Sequence, residues 1–384
     1  MKKIHLVTLA FGLLCAGLLL LSGAGCPKKG GAGGGKVIKI GLIVPLTGDI
    51  AAMGQGMRNG ATLAVEQANA RDDVKKKGLR FELVAIDDRA DPKEAVSGAN
   101  RLISDPAIVG VVGHLNSGCS IPASQVYARK GMIMISPAST SPMLTLQKLN
   151  NVFRVCTTDN VQGSFAAEYL YKKRNMRGVV VMHDKTPYGQ GLADEFMKSF
   201  KKIGGTVLAY EGINFGDKDF NAVLTKIKRL KPEAIYFGGM YSEGGLITKQ
   251  AKDMGLNVPL VGGDGIFSPE YFKIGGKSTE GDIATMIGAP PEKLATARQF
   301  IKDYQKRFPK VDFQPYDAYT FDATSIIIDA ALTAGTDRKA IVDYVHKIKH
   351  NGVVGETRFD EKGDTLNKTI TVYTAKGGKF VSAE

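Results

Sequence analysis

Short apolar runs alternate with segments of helical period from Val37 onward. The apolar runs are nearly unbroken, which is typical of strands buried on both faces of a parallel sheet. The predicted strands cover 37–45, 81–87, 108–113, 132–136, 178–184, 206–211, 234–239 and 259–263. The intervening segments carry apolar residues at helical spacing over 51–70, 92–104, 120–129, 161–174, 189–203, 220–230 and 243–254. This alternation predicts βαβ units and an α/β fold with helices on both sheet faces.

The alternation runs twice, with an interruption near 156–161. After an apolar run at 283–287 the pattern changes to three helices, and a hairpin-like stretch with a turn at 360–364 follows them. We therefore expect two Rossmann-like lobes with parallel sheets, joined by several strand crossings that act as a hinge. The first lobe is predicted to contain 37–157 and 287–357, and the second lobe to contain 158–286 and 358–384.

The N-terminus has the pattern of a secretory signal peptide. Met1-Lys2-Lys3 is a cationic start, and a long apolar run leads to small residues and then Cys26. The apolar run is marginal for a bilayer span, so cleavage after residue 25 is expected. Gly25-Cys26 resembles the processing site of bacterial lipoproteins, although Gly23 stands where leucine is usual. A lipid on Cys26 is the expected anchor, and free secretion is the alternative.

Composition narrows the class of protein further. Residues 26–36 are rich in glycine and predict a flexible tether to a periplasmic or cell-surface protein. The formal net charge is +13, but the lysines are scattered without interleaved aromatic residues, which indicates a solvated basic surface and no nucleic-acid partner. Cys119 and Cys156 remain for the folded part, either as a disulfide or as two buried thiols.

Ligands of open parallel sheets bind at the carboxyl ends of the strands, so the residues after each strand indicate the site. The third predicted strand ends at 113–118, where Ser117 precedes a helix. The fourth ends in a loop of small residues that contains Ala138, Ser139 and Thr140. Hydroxyl groups and free backbone N–H groups near a helix N-terminus favour an anion. The two loops together are predicted to hold one carboxylate.

The second half supplies a different kind of residue at its strand ends. These residues are Tyr188, Tyr241 and Asp264. An acid opposite a carboxylate site suits the ammonium group of a zwitterion, because an unpaired buried charge is costly. Each residue alone has a local alternative as a helix cap, a turn former or a packing residue. Their common position at strand ends favours a shared cleft.

Five segments also carry a resemblance to a known family. They are 87–93, 113–115, 135–140, 183–189 and 359–364, which read DDRADPK, GHL, ISPAST, HDKTPYG and FDEKGD. In these segments the chain resembles the leucine/isoleucine/valine-binding proteins, which are type I periplasmic receptors of amino-acid ABC transporters. The resemblance covers essentially everything after Lys36. It implies two lobes with an amino acid bound between them.

The resemblance also implies roles for individual residues. It places Ser117, Ala138 and Thr140 on the ligand carboxylate, and Asp264 on the ammonium, where glutamate is usual. It makes Tyr188 an aromatic that closes over the ligand. Two further implied pocket residues are Tyr316 and Met53. Tyr241 follows one residue after the expected aromatic position, which Met240 occupies.

The implied function is capture of an amino acid, branched-chain or otherwise apolar, by a monomer that needs no cofactor and delivers it to an ABC permease. A ligand-sensing receptor module for amino acids or related amides and carboxylates is the alternative, although the chain ends without a span and signalling domain. An enzyme is a third class, in which His114, Ser117 and Asp264 would form a hydrolytic triad. The chain lacks the Gly-x-Ser-x-Gly elbow, a complete phosphate loop and clustered metal ligands, so we predict no catalysis.

Overall fold

The computed structural model describes residues 35–383, without the side chain of Glu292. The predicted signal peptide and Cys26 lie outside the described residues. The first sheet is parallel, and its five strands lie in the order β2-β1-β3-β4-β5. They are Lys36–Val44 (β1), Leu79–Asp87 (β2), Ile108–Gly113 (β3), Ile133–Ser136 (β4) and Val152–Arg154 (β5). The helices between them are Ala51–Ala70 (α1), Asp72–Lys76 (α2), Pro92–Ser104 (α3), Ser117–Ala128 (α4) and Met143–Leu146 (α5).

A second α/β unit follows. Its strands are Gly178–His183 (β6), Thr206–Gly212 (β7), Ala234–Gly238 (β8), Leu260–Gly262 (β9) and Ile283–Ile287 (β10). Its helices are Asp159–Glu168 (α6), which continues into a π-helical turn, Pro187–Lys202 (α7), Asn221–Leu230 (α8), Tyr241–Asp253 (α9) and Pro269–Gly275 (α10). In both units the central strands are buried on both faces, and the edge strands β2 and β7 are partly exposed.

The remaining chain returns to both units. Ala297–Arg307 (α11), Asp317–Ala334 (α12) and Arg338–Val345 (α13) precede a hairpin of His350–Gly352 (β11) and Gly355–Thr357 (β12). α12 packs so closely on α1 that a side chain at Gly60 would collide with the backbone oxygen of Asp317. Ile370–Lys376 (β13) and Lys379–Ser382 (β14) then complete the second sheet, in the order β14-β13-β10-β9-β8-β6-β7.

The hairpin-like stretch near the C-terminus differs from the prediction. The predicted turn is present, with an isolated bridge between Phe359 and Thr365 and a hydrogen bond from the backbone N–H of Asp360 to the Asp364 carbonyl at 2.9 Å. The predicted second strand, β13, instead pairs antiparallel with β10 and β14. The reason is burial, since Val372 and Tyr373 lose their exposure beside β10. A strand that completes a sheet buries more apolar surface than a free hairpin does.

We call the first sheet with its helices, including α11 to α13, the first lobe, and the second sheet with its helices the second lobe. Three chain segments cross between the two sheets: 155–158, 288–296 and 358–369. The two-lobed fold is therefore confirmed, while the predicted residue limits of each lobe stay a prediction. Cys119 and Cys156 are both buried and form no disulfide. Across the described residues, every helix is too short or too polar to cross a bilayer.

Candidate functional site

Ser117 lies at the cleft end of the first sheet and begins helix α4. The sequence placed the start of this helix three residues later, near Ser120. The Ser117 side chain is buried, and its Oγ accepts a hydrogen bond from the backbone N–H of Ser141 at 3.3 Å. The first N–H groups of a helix lack partners within the helix and favour negative charge. Ser117 thus combines a hydroxyl group with backbone donors.

Hydrogen bonds within the first lobe fix the loop after β4. Ser136 Oγ accepts from the backbone N–H of Ser139 at 2.9 Å. Ser139 Oγ donates to the Leu115 carbonyl at 3.0 Å, so this hydroxyl, predicted to contact ligand, is engaged within the protein. Ala138 and Thr140 flank it and are buried. Among the described residues, Thr140 Oγ1 has no hydrogen-bond partner.

Arg154 holds the same loop from β5. It is fully buried, and its Nη1 donates to the carbonyls of Ser139 at 2.9 Å and Ser141 at 2.8 Å, on either side of Thr140. Its Nε donates to Asp364 Oδ1 at 2.5 Å. Asp364 belongs to the third crossing segment. The guanidinium therefore connects the loop to the third crossing segment, where its charge is paired with Asp364.

Asp159 is the first residue of α6, and the sequence analysis did not select it. Its backbone N–H donates to the Thr140 carbonyl at 3.0 Å, which brings it to the loop of the first lobe. Both carboxylate oxygens are buried, and neither has a partner in the part of the chain that the structure describes. Burial raises the pKa of Asp159 to about 8. The Thr140 hydroxyl opposes this rise from nearby although it is not in hydrogen-bond geometry, and the charge of Asp264 adds to it.

Asp264 follows β9 and begins a short 3-10 turn, Asp264–Ile266. It is fully buried, and its two oxygens accept hydrogen bonds from Tyr188 Oη at 3.0 Å and from Tyr316 Oη at 2.5 Å. Tyr188 belongs to α7 of the second lobe, whereas Tyr316 directly precedes α12 of the first. Burial raises the pKa of Asp264, and the tyrosine hydroxyl groups oppose the rise. The acid is therefore shared between the lobes.

Tyr241 also reaches the other lobe. It is the first residue of α9, and Met240, at the position where the family has its aromatic, lies just before the helix. The Tyr241 hydroxyl faces the backbone N–H of Ala52 in α1. Met53 is next to Ala52 and fully buried. Tyr241 thus lies where the two lobes meet, and Met53 is the sequence neighbour of the residue that it faces.

Further contacts close the two lobes on each other. Lys218 Nζ lies 2.7 Å from Asp49 Oδ2, and both side chains are about half exposed. A Cβ atom on Gly118, in the first turn of α4, would lie 3.1 Å from Pro187 Cδ in the first turn of α7. The cleft is therefore closed in this structure.

The groups proposed for an enzyme have other partners. His114 Nδ1 lies 2.7 Å from Asp88 Oδ2, and its Nε2 lies 3.2 Å from Tyr127 Oη. These contacts occupy both ring nitrogens, and Ser117 accepts its hydrogen bond from the loop. No group of three or more His, Cys, Asp or Glu side chains within the described residues could hold a metal ion.

The cleft thus contains hydroxyl and backbone donors on the first lobe and two buried acids at the second. One set of contacts connects Ser117, Ser141, Thr140 and Asp159. A second set connects Tyr188 and Tyr316 through Asp264, whose charge acts on Asp159. The sequence missed Asp159 because an acid at a helix start looks like an ordinary cap. Its position directly after the first crossing segment was the available clue. This arrangement can bind a molecule that carries both a carboxylate and an ammonium group.

Comparisons with known proteins support the two-lobed fold. The family model described as "Periplasmic binding protein" matches residues 37–379. "Leu/Ile/Val-binding protein homolog 2" of Brucella abortus is 39% identical over 351 residues, which cover 89% of this chain and 92% of that protein. The match therefore spans both lobes.

Two solved structures show the same fold. The leucine binding protein LivK from Thermotoga maritima has a TM-score of 0.84 and 32% identity, and the match covers 90% of this chain and 98% of that one. LivJ from Streptococcus pneumoniae, solved in complex with isoleucine, has a TM-score of 0.81 and 30% identity, with coverage of 90% and 100%.

Proposed function

Because this chain belongs to the periplasmic binding protein family, we propose that it captures an apolar amino acid between its lobes and delivers it to an ABC permease. Proteins of this family act outside the cytoplasm. The Brucella relative is named for leucine, isoleucine and valine, LivK is described as a leucine binding protein, and LivJ was solved with isoleucine bound. In this proposal the protein is a monomer that needs no cofactor and leaves its ligand chemically unchanged.

One observation carries the proposal. Thr140 Oγ1 and both oxygens of Asp159 are buried without partners among the described residues, close to the buried Asp264. Unpaired buried polar groups cost free energy, and native proteins rarely leave them so. An ammonium group between the two acids would supply the missing donor. The ligand carboxylate would then lie at Ser117, near the N-terminus of α4.

The other predicted contacts favour an uncharged ligand side chain. Tyr188, Tyr241, Tyr316 and Met53 bring aromatic rings or a thioether to the cleft and no charge. Arg154 is paired with Asp364, so it is not free to bind an acidic side chain. A charged side chain would therefore be buried without a partner, which is costly. This favours leucine, isoleucine or valine over lysine or glutamate.

The decisive experiment is isothermal titration calorimetry of the folded chain with leucine, isoleucine, valine, leucinamide and isovalerate. We expect the three amino acids to bind, and the amide and the deaminated acid to bind at least about tenfold more weakly, because each leaves one side of the cleft unpaired. Equal binding of isovalerate and valine, the amino acid from which it differs only by the amino group, would contradict the zwitterion site and favour a related carboxylate as the ligand.

The N-terminus completes the proposal. We propose cleavage before Cys26, a lipid on its thiol and residence at the outer face of a membrane. Mass spectrometry of the mature N-terminus should show the added diacylglycerol. An unmodified cysteine there would instead support free secretion.

A further inference from the structure

A cavity of about 390 Å³ lies between the two lobes, apart from the cleft around Asp264. Residues of α10, β10, β13 and β14 form its wall on the second lobe. Residues of α11, α12 and the segment between β11 and β12 form the wall on the first lobe. The second crossing segment lines it through Ala289 and Pro291. Its volume falls within the range of about 300–1,000 Å³ that is usual for small-molecule sites.

The lining of this interlobe cavity is mainly apolar and includes several aromatic rings. Its main apolar side chains are Phe267, Phe272, Met286, Phe313, Tyr319 and Phe380. The rings of Phe267 and Phe380 stack at 4.9 Å, and both residues remain partly exposed. Partly exposed aromatic surface gains free energy when an apolar body covers it, by about 25 cal/mol per Å². The cavity therefore suits an apolar or aromatic molecule.

Charge narrows the class of molecule. Lys379 lines the mouth of the cavity and is exposed, and it is the one charged side chain among the lining residues that the structure describes. Gln305 is an exposed, uncharged neighbour at the same cavity. A single carboxylate could pair with Lys379 at the mouth while its apolar body fills the interior. An ammonium group would find no described carboxylate in this lining, so a zwitterion fits poorly.

We propose that this cavity is a second ligand site, which takes a small apolar monocarboxylate and is distinct from the amino-acid cleft. The proposal does not depend on the identity of the ligand in the cleft. The start of α12 lies between the amino-acid cleft and this cavity. Tyr316 donates to Asp264 in the cleft, whereas Tyr319, which lines the cavity, donates from its Oη to the Ile287 carbonyl at 2.7 Å. An occupant of the cavity contacts both lobes and so stabilises their closed arrangement.

The test is calorimetry of the folded chain with 4-phenylbutyrate, and with 4-phenylbutanol as its uncharged analogue. Ala289→Phe should weaken both compounds by about tenfold or more, because the new ring takes up cavity volume. Ala289→Ser is the matched control and should bind like the original protein. Lys379→Gln should weaken the acid by about two- to fivefold, the range for an exposed ion pair, and leave the alcohol unchanged.

Competition separates the two sites. Saturating leucine should leave 4-phenylbutyrate binding unchanged or make it tighter, because both ligands favour the closed lobes. Displacement by leucine, a lack of binding to the original protein, or full binding to Ala289→Phe would each overturn the proposal. If Ala289→Phe fails to fold, as judged by its melting transition, the comparison of acid and alcohol on Lys379→Gln decides alone. Equal loss of both compounds there would also overturn it.

Discussion

The two sides of the cleft differ in how their polar groups are satisfied. On the first lobe, hydrogen bonds fix the loop around Thr140 before any ligand arrives, since Arg154 holds the carbonyls on both sides of it. On the other side, Asp264 accepts hydrogen bonds from two tyrosine hydroxyl groups, one from each lobe, and the oxygens of Asp159 have no partner within the described residues.

The first-lobe side of the cleft therefore supplies a fixed geometry, and the other side supplies the charge. The loop of the first lobe is preorganised, so a carboxylate can bind there without reordering the backbone. The acids have raised pKa values because burial penalises their charge. A ligand ammonium would relieve that penalty, so we expect most of the ligand-dependent free energy to come from the acidic side. The predictions below test the two sides separately.

The largest effect is expected on the free energy of unfolding, when the loop around Thr140 loses the side chain that holds it. Arg154→Met leaves Asp364 without its cation and two carbonyls without their donor. We expect the free energy of unfolding to fall by about 3–5 kcal/mol, the usual loss when one partner of a buried pair is removed. Urea unfolding followed by circular dichroism measures it. Arg307→Met, which removes an ion pair that is about half exposed, should cost at most about 1 kcal/mol. Equal losses would show that the loop is not held by Arg154.

Removal of the shared acid should act on binding more than on folding. Asp264→Asn removes the charge that would face the ammonium, so leucine affinity should fall by about 10- to 150-fold, the equivalent of about 1.5–3 kcal/mol. Asp282→Asn is a matched control, because Asp282 is also buried and accepts from Tyr271 Oη at 2.6 Å. Its affinity should stay unchanged in calorimetry. The same affinity in both variants would place the ammonium elsewhere.

The same contrast explains what the sequence could predict. Continuous apolar runs defined the central strands, so the predicted limits of β3 agree with the structure and those of β8 differ by one residue. Apolar residues at regular helical spacing likewise gave the limits of α1 and α3 correctly. Strand ends follow from the fold, which is why Ser117, Thr140 and Asp264 could be selected. Their joint role as ligand contacts stays a prediction.

The residues that the sequence missed act through tertiary contacts. β5 has three residues, too few for a periodic pattern, and its Arg154 is explained only by carbonyls and an acid that lie far along the chain. Asp159 has the local appearance of a helix start, and only the fold brings it to Thr140. β13 could be located as apolar sequence, but its partner β10 was decided by burial in the completed sheet.

The pH dependence of binding tests whether Asp159 loses a proton when the ligand binds. In the empty protein its pKa is raised to about 8, so it holds a proton at pH 7 that the unfolded chain does not hold. Its contribution to stability is therefore present at low pH and is lost as the pH rises from about 4 to 8. A bound ammonium favours the ionised form, so binding should release a proton, and affinity should rise by up to about tenfold per pH unit between pH 6 and 8.

Calorimetry at pH 7 in phosphate and in Tris counts the released protons, because the two buffers differ in ionisation enthalpy. Asp159→Asn should lose this buffer dependence. Asp282→Asn, which removes a buried acid bound to Tyr271 and not to the residues of the cleft, is the control and should keep the buffer dependence. If the original protein and the variant release the same number of protons, Asp159 does not titrate with the ligand.

The smallest effect on leucine affinity is expected from the exposed ion pair that joins the two lobes at the edge of the cleft. Lys218 and Asp49 join the lobes at 2.7 Å, but their side chains are 55% and 46% exposed, so water and salt screen the pair to at most about 1 kcal/mol. Lys218→Met should therefore change leucine affinity by less than about fivefold, and the change should vanish in about 0.5 M salt, where the screening length falls to a few ångströms. Lys339→Met, which removes an exposed ion pair within α13, is the control. A larger, salt-resistant loss for Lys218→Met would mean that closure depends on this contact and not on the two buried sides.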